Sequence, residues 1–230
     1  MKNELQILFE DNHLIVVNKT NSDLVQRDST GDDALVDKLK EYIKEKYHKP
    51  GDVFLGVTHR LDRPVSGVVV FARTSKALGR MNALFHDDKI KKTYWAIVKK
   101  LPEKEEDTLV HYITRNSKQN KSYCHNSEVK DSKRAELSYK LLVSSDNYHL
   151  LEIDLKTGRH HQIRAQLATM GCPIKGDLKY GFPRSNPDGG ISLHARSISF
   201  IHPVSKEDIN LLANPPEGEV LWRFFLDRLG

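Results

Sequence analysis

Residues 59–71 place charged side chains directly before an apolar run that is typical of a buried β-strand. In this stretch Asp62 stands between Arg60 and Arg63, and three valines follow at positions 68–70. One interpretation is a solvated surface ion pair, which contributes only about 0–1 kcal/mol. The other is an ionised carboxylate held in a cationic pocket at the mouth of the strand, where it could act as a base or a nucleophile. These residues alone leave both interpretations open.

A second unusual stretch, residues 151–181, runs from an apolar strand into an amphipathic helix that we predict over residues 159–170. Arg164 shares a stripe of this helix with Leu167, so its side chain should face partly inward. A buried cation needs a partner, because an unpaired one is strongly disfavoured. We therefore predict that Arg164 pairs with Asp62.

The adjacent histidines His160 and His161 raise the alternative of a metal site. Neighbouring helical residues point in different directions, and no H-E-x-x-H spacing is present, so we predict hydrogen bonding or capping and no metal. The two cysteines, Cys124 and Cys172, are far apart, which favours reduced thiols over a disulfide or a cysteine-rich zinc site.

The elements that must position these residues are mostly short strands, and no internal repeat is present. Because the strands predominate and follow one another closely, we predict an α+β fold with a large mixed, mostly antiparallel sheet flanked by helices. The predicted helices cover residues 33–47, 75–86, 159–170 and 220–229, and the predicted strands cover residues 14–18, 68–72, 93–98, 108–114, 137–143, 149–155 and 192–201.

Length and composition bound the class of protein. The 230 residues are enough for one large domain or two small ones, and 38% hydrophobic with 29% charged residues is typical of a soluble globular protein. No apolar run is long enough for a membrane span, and the N-terminus lacks a signal-peptide pattern, so we predict a cytoplasmic protein. The absence of G-x-x-x-x-G-K-[ST] and G-x-G-x-x-G motifs argues against nucleotide cofactors.

The formal net charge is +5, and residues 115–134 carry six of the basic side chains against two acidic ones. With few large apolar residues, this segment is predicted to be an exposed cationic loop. A purely solvated surface and a contact with a polyanion such as RNA both fit this pattern.

Several motifs, in order along residues 8–216, resemble the RluA class of RNA pseudouridine synthases. The first block is His59-Arg60-Leu61-Asp62 with Ser66-Gly67 and Phe71-Ala72, and the second is Thr157-Gly158-Arg159 with His161-Gln162-Ile163-Arg164. The later matches are Pro173-Ile174, Gly176-Asp177, Tyr180-Gly181 and Leu193-His194-Ala195. Such a series of spaced blocks is far more specific than any one tetrapeptide.

The resemblance implies an enzyme that isomerises uridine to pseudouridine in RNA without a cofactor. It assigns Asp62 as the catalytic carboxylate, Arg164 as the partner that keeps it charged, and Tyr94 as a residue that lies on the target base. The target uridine must be flipped out of its stack, and Arg60 could occupy the vacated place. The residues we predict to contact RNA are His59, Arg60, Lys118, Lys121, Lys133, Arg159 and His161.

The resemblance also predicts a single catalytic domain over residues 1–230 with no separate N-terminal RNA-binding domain. The sequence leaves the oligomeric state open, and we favour a monomer. The chain departs from the family pattern at residues 19–22, where Lys-Thr-Asn-Ser replaces the usual Lys-Pro-x-Gly, so the shape of that loop is open. Two alternatives come from other classes: a non-catalytic RNA-binding domain that kept the fold, and a metal-dependent nuclease. The chain lacks the clustered carboxylates that two-metal chemistry in a nuclease requires.

Overall fold

The computed structural model describes residues 5–28 and 31–230. In this part of the chain the strands are β1 (Gln6–Glu10), β2 (Leu14–Lys19), β3 (Gly56–Val57), β4 (Ser66–Ala72), β5 (Lys91–Val98), β6 (Glu106–Asn116), β7 (Lys121–His125), β8 (Lys133–Ser144), β9 (His149–Leu155), β10 (Leu193–Ile201) and β11 (Asp208–Leu212). The helices are α1 (Leu35–Lys46), α2 (Ser75–His86), α3 (Gln162–Thr169) and α4 (Val220–Leu229), and a 3₁₀ helix spans Leu178–Tyr180. None of the helices in the described ranges is both long and apolar enough to cross a bilayer.

The chain divides into two compact units. The first comprises Arg196–Asn214 and the described part of Met1–Ile90, and the second comprises Lys91–Ala195 and Pro215–Gly230. Strand β10 therefore begins in the second unit and ends in the first. The expectation of a single catalytic domain over the whole chain stays a prediction.

The first unit is built around β4, which is buried at all seven of its residues. A strand covered on both faces reads as a continuous apolar run, and this is why its sequence shows no alternation. Strand β2 pairs antiparallel with β1 and with β4, and β11 pairs antiparallel with β10. Helix α2 starts after Thr74, whose hydroxyl accepts a hydrogen bond from the Ala77 amide at 3.1 Å.

The strands of the second unit lie in the order β5-β9-β8-β6-β7, and each neighbouring pair is antiparallel. Its core includes a cluster of apolar side chains from β5, β9 and α4, namely Trp95, Ile97, Leu150, Trp222 and Phe225. The aromatic stripe of α4 is thus part of the core, and it packs α4 against β5 and β9.

The predicted α+β class with a large, mostly antiparallel sheet is confirmed. The seven predicted strands and four predicted helices are all present, and α2 and α4 have the predicted limits. The sequence patterns missed β1, β3, β7 and β11, which are at most five residues long. Helix α3 begins at Gln162 instead of Arg159, because His161 has the left-handed φ of 52° that a helix interior does not allow.

The expectation of an exposed cationic loop over residues 115–134 is wrong for much of that segment. Lys121–His125 form β7, which pairs antiparallel with the end of β6. Only the turn at residues 117–120 and the connection at 126–132 lie outside strands. The physical reason is alternation: the small side chain of Ser122 points inward and is 1% exposed, while Lys121 and Tyr123 lie on the other face, so no large apolar residue marks the inward side.

Candidate active site and nucleic-acid interface

Asp62 lies in the first unit, in a turn that leads into β4. The amide of Val65 donates to the carbonyl oxygen of Asp62 at 3.0 Å, which closes this turn. Asp62 is half-buried, while Arg60 and Arg63 beside it are exposed. Arg63 forms a 2.6 Å ion pair with Asp32. The turn thus places a half-buried carboxylate directly at the mouth of a fully buried strand.

A buried lysine at the end of β2 binds the backbone of the turn that contains Asp62. Lys19 is 1% exposed, and its ammonium donates to the carbonyl oxygens of Thr20 at 2.6 Å, Arg63 at 3.0 Å and Val65 at 2.7 Å. Three acceptors match the three N–H bonds of an ammonium. Lys19 therefore fixes the backbone on the C-terminal side of Asp62.

Opposing effects act on the pKa of Lys19. Burial lowers its pKa to about 7, against the opposing effect of the negative charges of Asp23 and Asp62. The sequence patterns did not single out this residue. The available signal was a lysine that ends the apolar run of β2, where a charged side chain must be either exposed or paired.

The loop after Lys19 is closed by side chains in place of the proline and glycine that the family pattern has there. The Thr20 hydroxyl donates to Asp23 at 2.7 Å, and Asp23 forms a 2.7 Å ion pair with Lys38 of α1. Burial alone would raise the pKa of Asp23, but the hydrogen bonds from Lys38 and Thr20 outweigh it and lower the pKa below the usual value. Through these bonds Thr20, in the divergent Lys-Thr-Asn-Ser segment, is tied to Asp23 and by way of Asp23 to α1.

His59, which we predicted to contact RNA, is half-buried against β4 and α2. Its Nε2 accepts the Val70 amide proton at 3.1 Å, and its ring lies 4.8 Å from that of Phe85. An accepting Nε2 places the proton of the neutral ring on Nδ1. His59 therefore anchors the segment before Asp62, and its contact with RNA stays a prediction.

In the second unit, Arg164 of α3 forms a buried bidentate pair with Asp177. Nε lies 2.7 Å from Oδ2 and Nη2 lies 2.9 Å from Oδ1, with the two side chains 6% and 1% exposed. The guanidinium carbon is also 5.1 Å from the ring centre of Tyr180. The inference that Arg164 faces inward is correct, and Asp177 is a partner that the sequence patterns missed. The predicted pairing of Arg164 with Asp62 stays a prediction.

Tyr94 lies on β5, opposite Ile153 of β9. Its side chain is 9% exposed and is thus among the buried residues of the second unit. Strand pairing on a regular antiparallel ladder fixes the position of its backbone. The role of its ring on a target base stays a prediction.

The two adjacent histidines connect the start of α3 with the β6–β7 hairpin. Their rings stack with centres 3.8 Å apart. His160 Nδ1 lies 2.9 Å from the Ser122 hydroxyl, and His161 Nδ1 lies 3.0 Å from the Tyr180 hydroxyl. The Tyr180 hydroxyl also accepts the Ser122 amide proton at 2.9 Å. This network docks β7 on α3 and on the 3₁₀ helix.

The cationic side chains predicted to contact RNA are spread over this part of the second unit. Lys118 and Lys133 are exposed, and Lys121 is half-buried with its ammonium 5.2 Å from the Tyr180 ring centre. Arg159 donates from Nε to the carbonyl oxygen of Arg134 at 2.9 Å. Among the described residues, no group of three or more His, Cys, Asp or Glu side chains could hold a metal ion.

Residues 13–169 match the family described as RNA pseudouridylate synthase. The chain is 32% identical over 224 residues to the ribosomal large subunit pseudouridine synthase D of Zymomonas mobilis, covering 93% of this chain and 70% of that protein. It is 29% identical over 230 residues to the tRNA pseudouridine synthase C of Vibrio parahaemolyticus, covering 92% of this chain and 90% of that protein. A curated relative from Synechocystis is longer, and the chain spans 66% of its length.

The fold agrees with these sequence relationships. The solved structure of the human RNA pseudouridylate synthase domain containing 4 superposes with a TM-score of 0.80 at 24% identity, covering 97% of this chain and 92% of that one. Fold and motif blocks together define a class of RNA isomerases. The chain belongs to the RNA pseudouridylate synthase family, and the resemblance to its RluA class is confirmed.

Proposed function

We propose that this chain isomerises one or more uridines of ribosomal or transfer RNA to pseudouridine, with Asp62 as the catalytic carboxylate. The relatives named above support the reaction and both kinds of RNA. The observation that carries the assignment of Asp62 is the clamp from Lys19 to the carbonyls of Arg63 and Val65. Burial of the Lys19 ammonium lowers the stability of the protein. Precise positioning of a reactive carboxylate at Asp62 is a functional reason for such a buried lysine.

The reaction breaks the bond between N1 of the base and C1′ of the ribose, turns the base, and joins C5 to C1′. The C5 proton is lost at the end and N1 gains a proton, so the product is an isomer and no redox agent or energy donor is consumed. An ionised carboxylate can start the reaction in two ways, by attack on C1′ or by removal of a sugar proton. Both first steps are open to Asp62.

The other residues of the proposal affect the charge of Asp62 or contact the target uridine and the surrounding RNA. Arg164 would keep Asp62 ionised, since a nearby positive charge favours the charged form of a carboxyl group. Tyr94 would lie on the target base, and Arg60 would fill the place that the flipped uridine leaves. The remaining predicted contacts, His59, Lys118, Lys121, Lys133, Arg159 and His161, would bind the RNA around the site. The proposed enzyme is a cytoplasmic monomer that uses no cofactor.

The substitution Asp62→Asn tests the assignment, because the amide keeps the shape of the side chain but loses its charge and basicity. Release of tritium from uridine labelled at C5 measures turnover in an unmodified rRNA or tRNA transcript. We expect turnover to fall below about one per cent of wild type, with RNA affinity retained. Asp146→Asn, at an exposed position of the second unit, is the matched control and should leave turnover unchanged.

The second candidate function is RNA binding without catalysis, which the fold and the cationic side chains would also serve. The same experiment separates the two. Wild-type protein that binds the transcripts but releases no tritium from any of them would support the binding domain. Turnover in wild type that survives in Asp62→Asn would instead show a synthase whose catalytic group lies elsewhere.

A further inference from the structure

One face of the β6–β7–β8 ladder in the second unit carries an aromatic ring, Tyr123, that has no part in the proposed reaction. Strand pairing places Tyr123 opposite Thr114, and both His125 and Arg134 opposite Tyr112, so these side chains lie on the same side of the ladder. We call this set, together with Lys121, the hairpin face. The opposite side carries Ile113, Ser122 and Ala135, which are at most 5% exposed. The hairpin face is therefore the solvent side of the ladder.

Tyr123 is the most exposed ring of this face. Its side chain is 40% exposed, on a strand that ends the order β5-β9-β8-β6-β7 and so, among the described strands, has a neighbour on one side only. Its hydroxyl donates to the Gln119 side chain at 2.6 Å, which restrains the ring. A restrained, exposed aromatic ring on an open edge is suited to stacking against a planar ligand at low entropic cost.

The charges around the ring show which planar ligand fits. The ammonium of Lys121 lies 5.6 Å from the Tyr123 ring centre, and the exposed side chains of Lys118 and Arg134 belong to the same hairpin and the adjoining strand. Glu136, two residues along β8 from Arg134, is paired with it. Glu128 and Asp131 lie in the connection from β7 to β8. An exposed aromatic ring with an ammonium beside it and further basic residues on the same hairpin is the pattern that binds single-stranded nucleic acid, with bases on the ring and phosphates on the cations.

We infer that the hairpin face binds an unpaired nucleotide of the RNA substrate, with its base stacked on Tyr123 and its phosphate held by Lys121. This inference rests on the proposed function for the identity of the ligand as RNA. It adds a subsite for a base other than the one that reacts. Stacking tolerates any base, so this subsite contributes affinity for single-stranded regions and little sequence preference.

Binding to short RNAs in the Asp62→Asn background tests this inference separately from catalysis. Tyr123→Leu should weaken binding of oligouridine by about 5- to 150-fold, the equivalent of one lost stacking contact, with an unchanged salt slope. Tyr123→Phe should bind within a few-fold of its parent. The salt slope is the decisive readout, because loss of a phosphate contact would flatten it and loss of stacking would not.

A second variant reports on the contact directly and does not depend on lost affinity. Tyr123→Trp places an indole on the hairpin face, whereas the native Trp95 and Trp222 are at most 6% exposed. Oligouridine should quench its fluorescence, and an abasic strand of the same length, which carries phosphates without bases, should not. Leu101→Trp, at another exposed position of the second unit, is the control and should respond to neither.

Three results would overturn the subsite. They are equal quenching by the abasic strand, quenching by duplex RNA as strong as by oligouridine, and oligouridine affinity of Tyr123→Leu equal to that of its parent. Absence of tritium release from wild-type protein would count against the proposed reaction and would leave these binding results unaffected.

Discussion

The ammonium of Lys19 lies 2.7 Å from the carbonyl oxygen of Val65, which itself follows Asp62 by one turn. This contact joins two segments that are 46 residues apart in the sequence. The buried Lys19 ammonium therefore holds the backbone that follows Asp62, the proposed catalytic carboxylate.

Lys19 should make the stability of the protein depend on pH above neutrality. Its pKa is about 7 in the folded chain against an ordinary value of 10.5, so between these values the unfolded chain binds the additional proton. The free energy of unfolding of wild type, relative to Lys19→Met, should therefore rise with pH in this interval, by up to about 1.4 kcal/mol per pH unit. Urea denaturation of both proteins at several pH values measures the difference.

The control for this experiment is Lys99→Met, at an exposed lysine, which should keep the wild-type pH dependence. A difference between wild type and Lys19→Met that stays constant through the interval would contradict the prediction. It would show that the three carbonyl acceptors and the nearby carboxylates hold the ammonium in its charged form.

Arg164→Met should destabilise the protein, because it leaves the buried Asp177 carboxylate without its bidentate partner. The expected loss is about 3–5 kcal/mol in the free energy of unfolding, measured by urea denaturation. The double variant Arg164→Met with Asp177→Asn should recover part of this loss, since no buried charge is then left unpaired.

Turnover of the same double variant tests the predicted second role of Arg164. If the guanidinium also serves Asp62, stability should return without turnover. Turnover that returns together with stability would make Arg164 a purely structural residue of the second unit.

Tyr94→Phe tests whether the Tyr94 hydroxyl removes the C5 proton after C5 has joined C1′, in addition to stacking of the ring on the base. The aromatic face persists, so RNA affinity should stay within a few-fold of wild type, but turnover should fall by at least about 10², as is typical for loss of a general acid or base. Tyr94→Leu should lose both affinity and turnover. Tritium release and filter binding measure the two quantities, and near-normal turnover in the phenylalanine variant would reduce Tyr94 to a stacking residue.

Replacement of Lys118, Lys121 and Lys133 by alanine should weaken binding to all RNAs alike. Each lost phosphate contact removes about one unit from the slope of log affinity against log salt, so the slope should flatten by up to about three units. The control set is Lys99, Lys100 and Lys104, three exposed lysines of the same unit, and its replacement by alanine should leave the slope unchanged. Equal slopes in the two triple variants would assign the cationic residues to a solvated surface.

The local elements of this protein follow from short stretches of its sequence. The buried run of β4 and the stripes of α2 and α4 are contained in seven to twelve consecutive residues, and the limits of the two helices were predictable. The position of Asp62 before β4, and the order of the motif blocks that identify the family, are also properties of the chain alone. What remained ambiguous were segments such as β7, where the inward positions are the small residues Ser122 and Cys124 and no large apolar run marks the strand.

The partners of the buried polar groups were decided by the tertiary structure. Hydrogen bonds join Lys19 to Val65, Ser122 to Tyr180 and Arg164 to Asp177. The partners are 46, 58 and 13 residues apart in the sequence. Sequence patterns show that a buried charge must be paired, because desolvation is costly, but several residues of opposite charge satisfy that requirement equally well. Only packing, which brings one acceptor within hydrogen-bond distance and removes the water that would otherwise compete, selects among them.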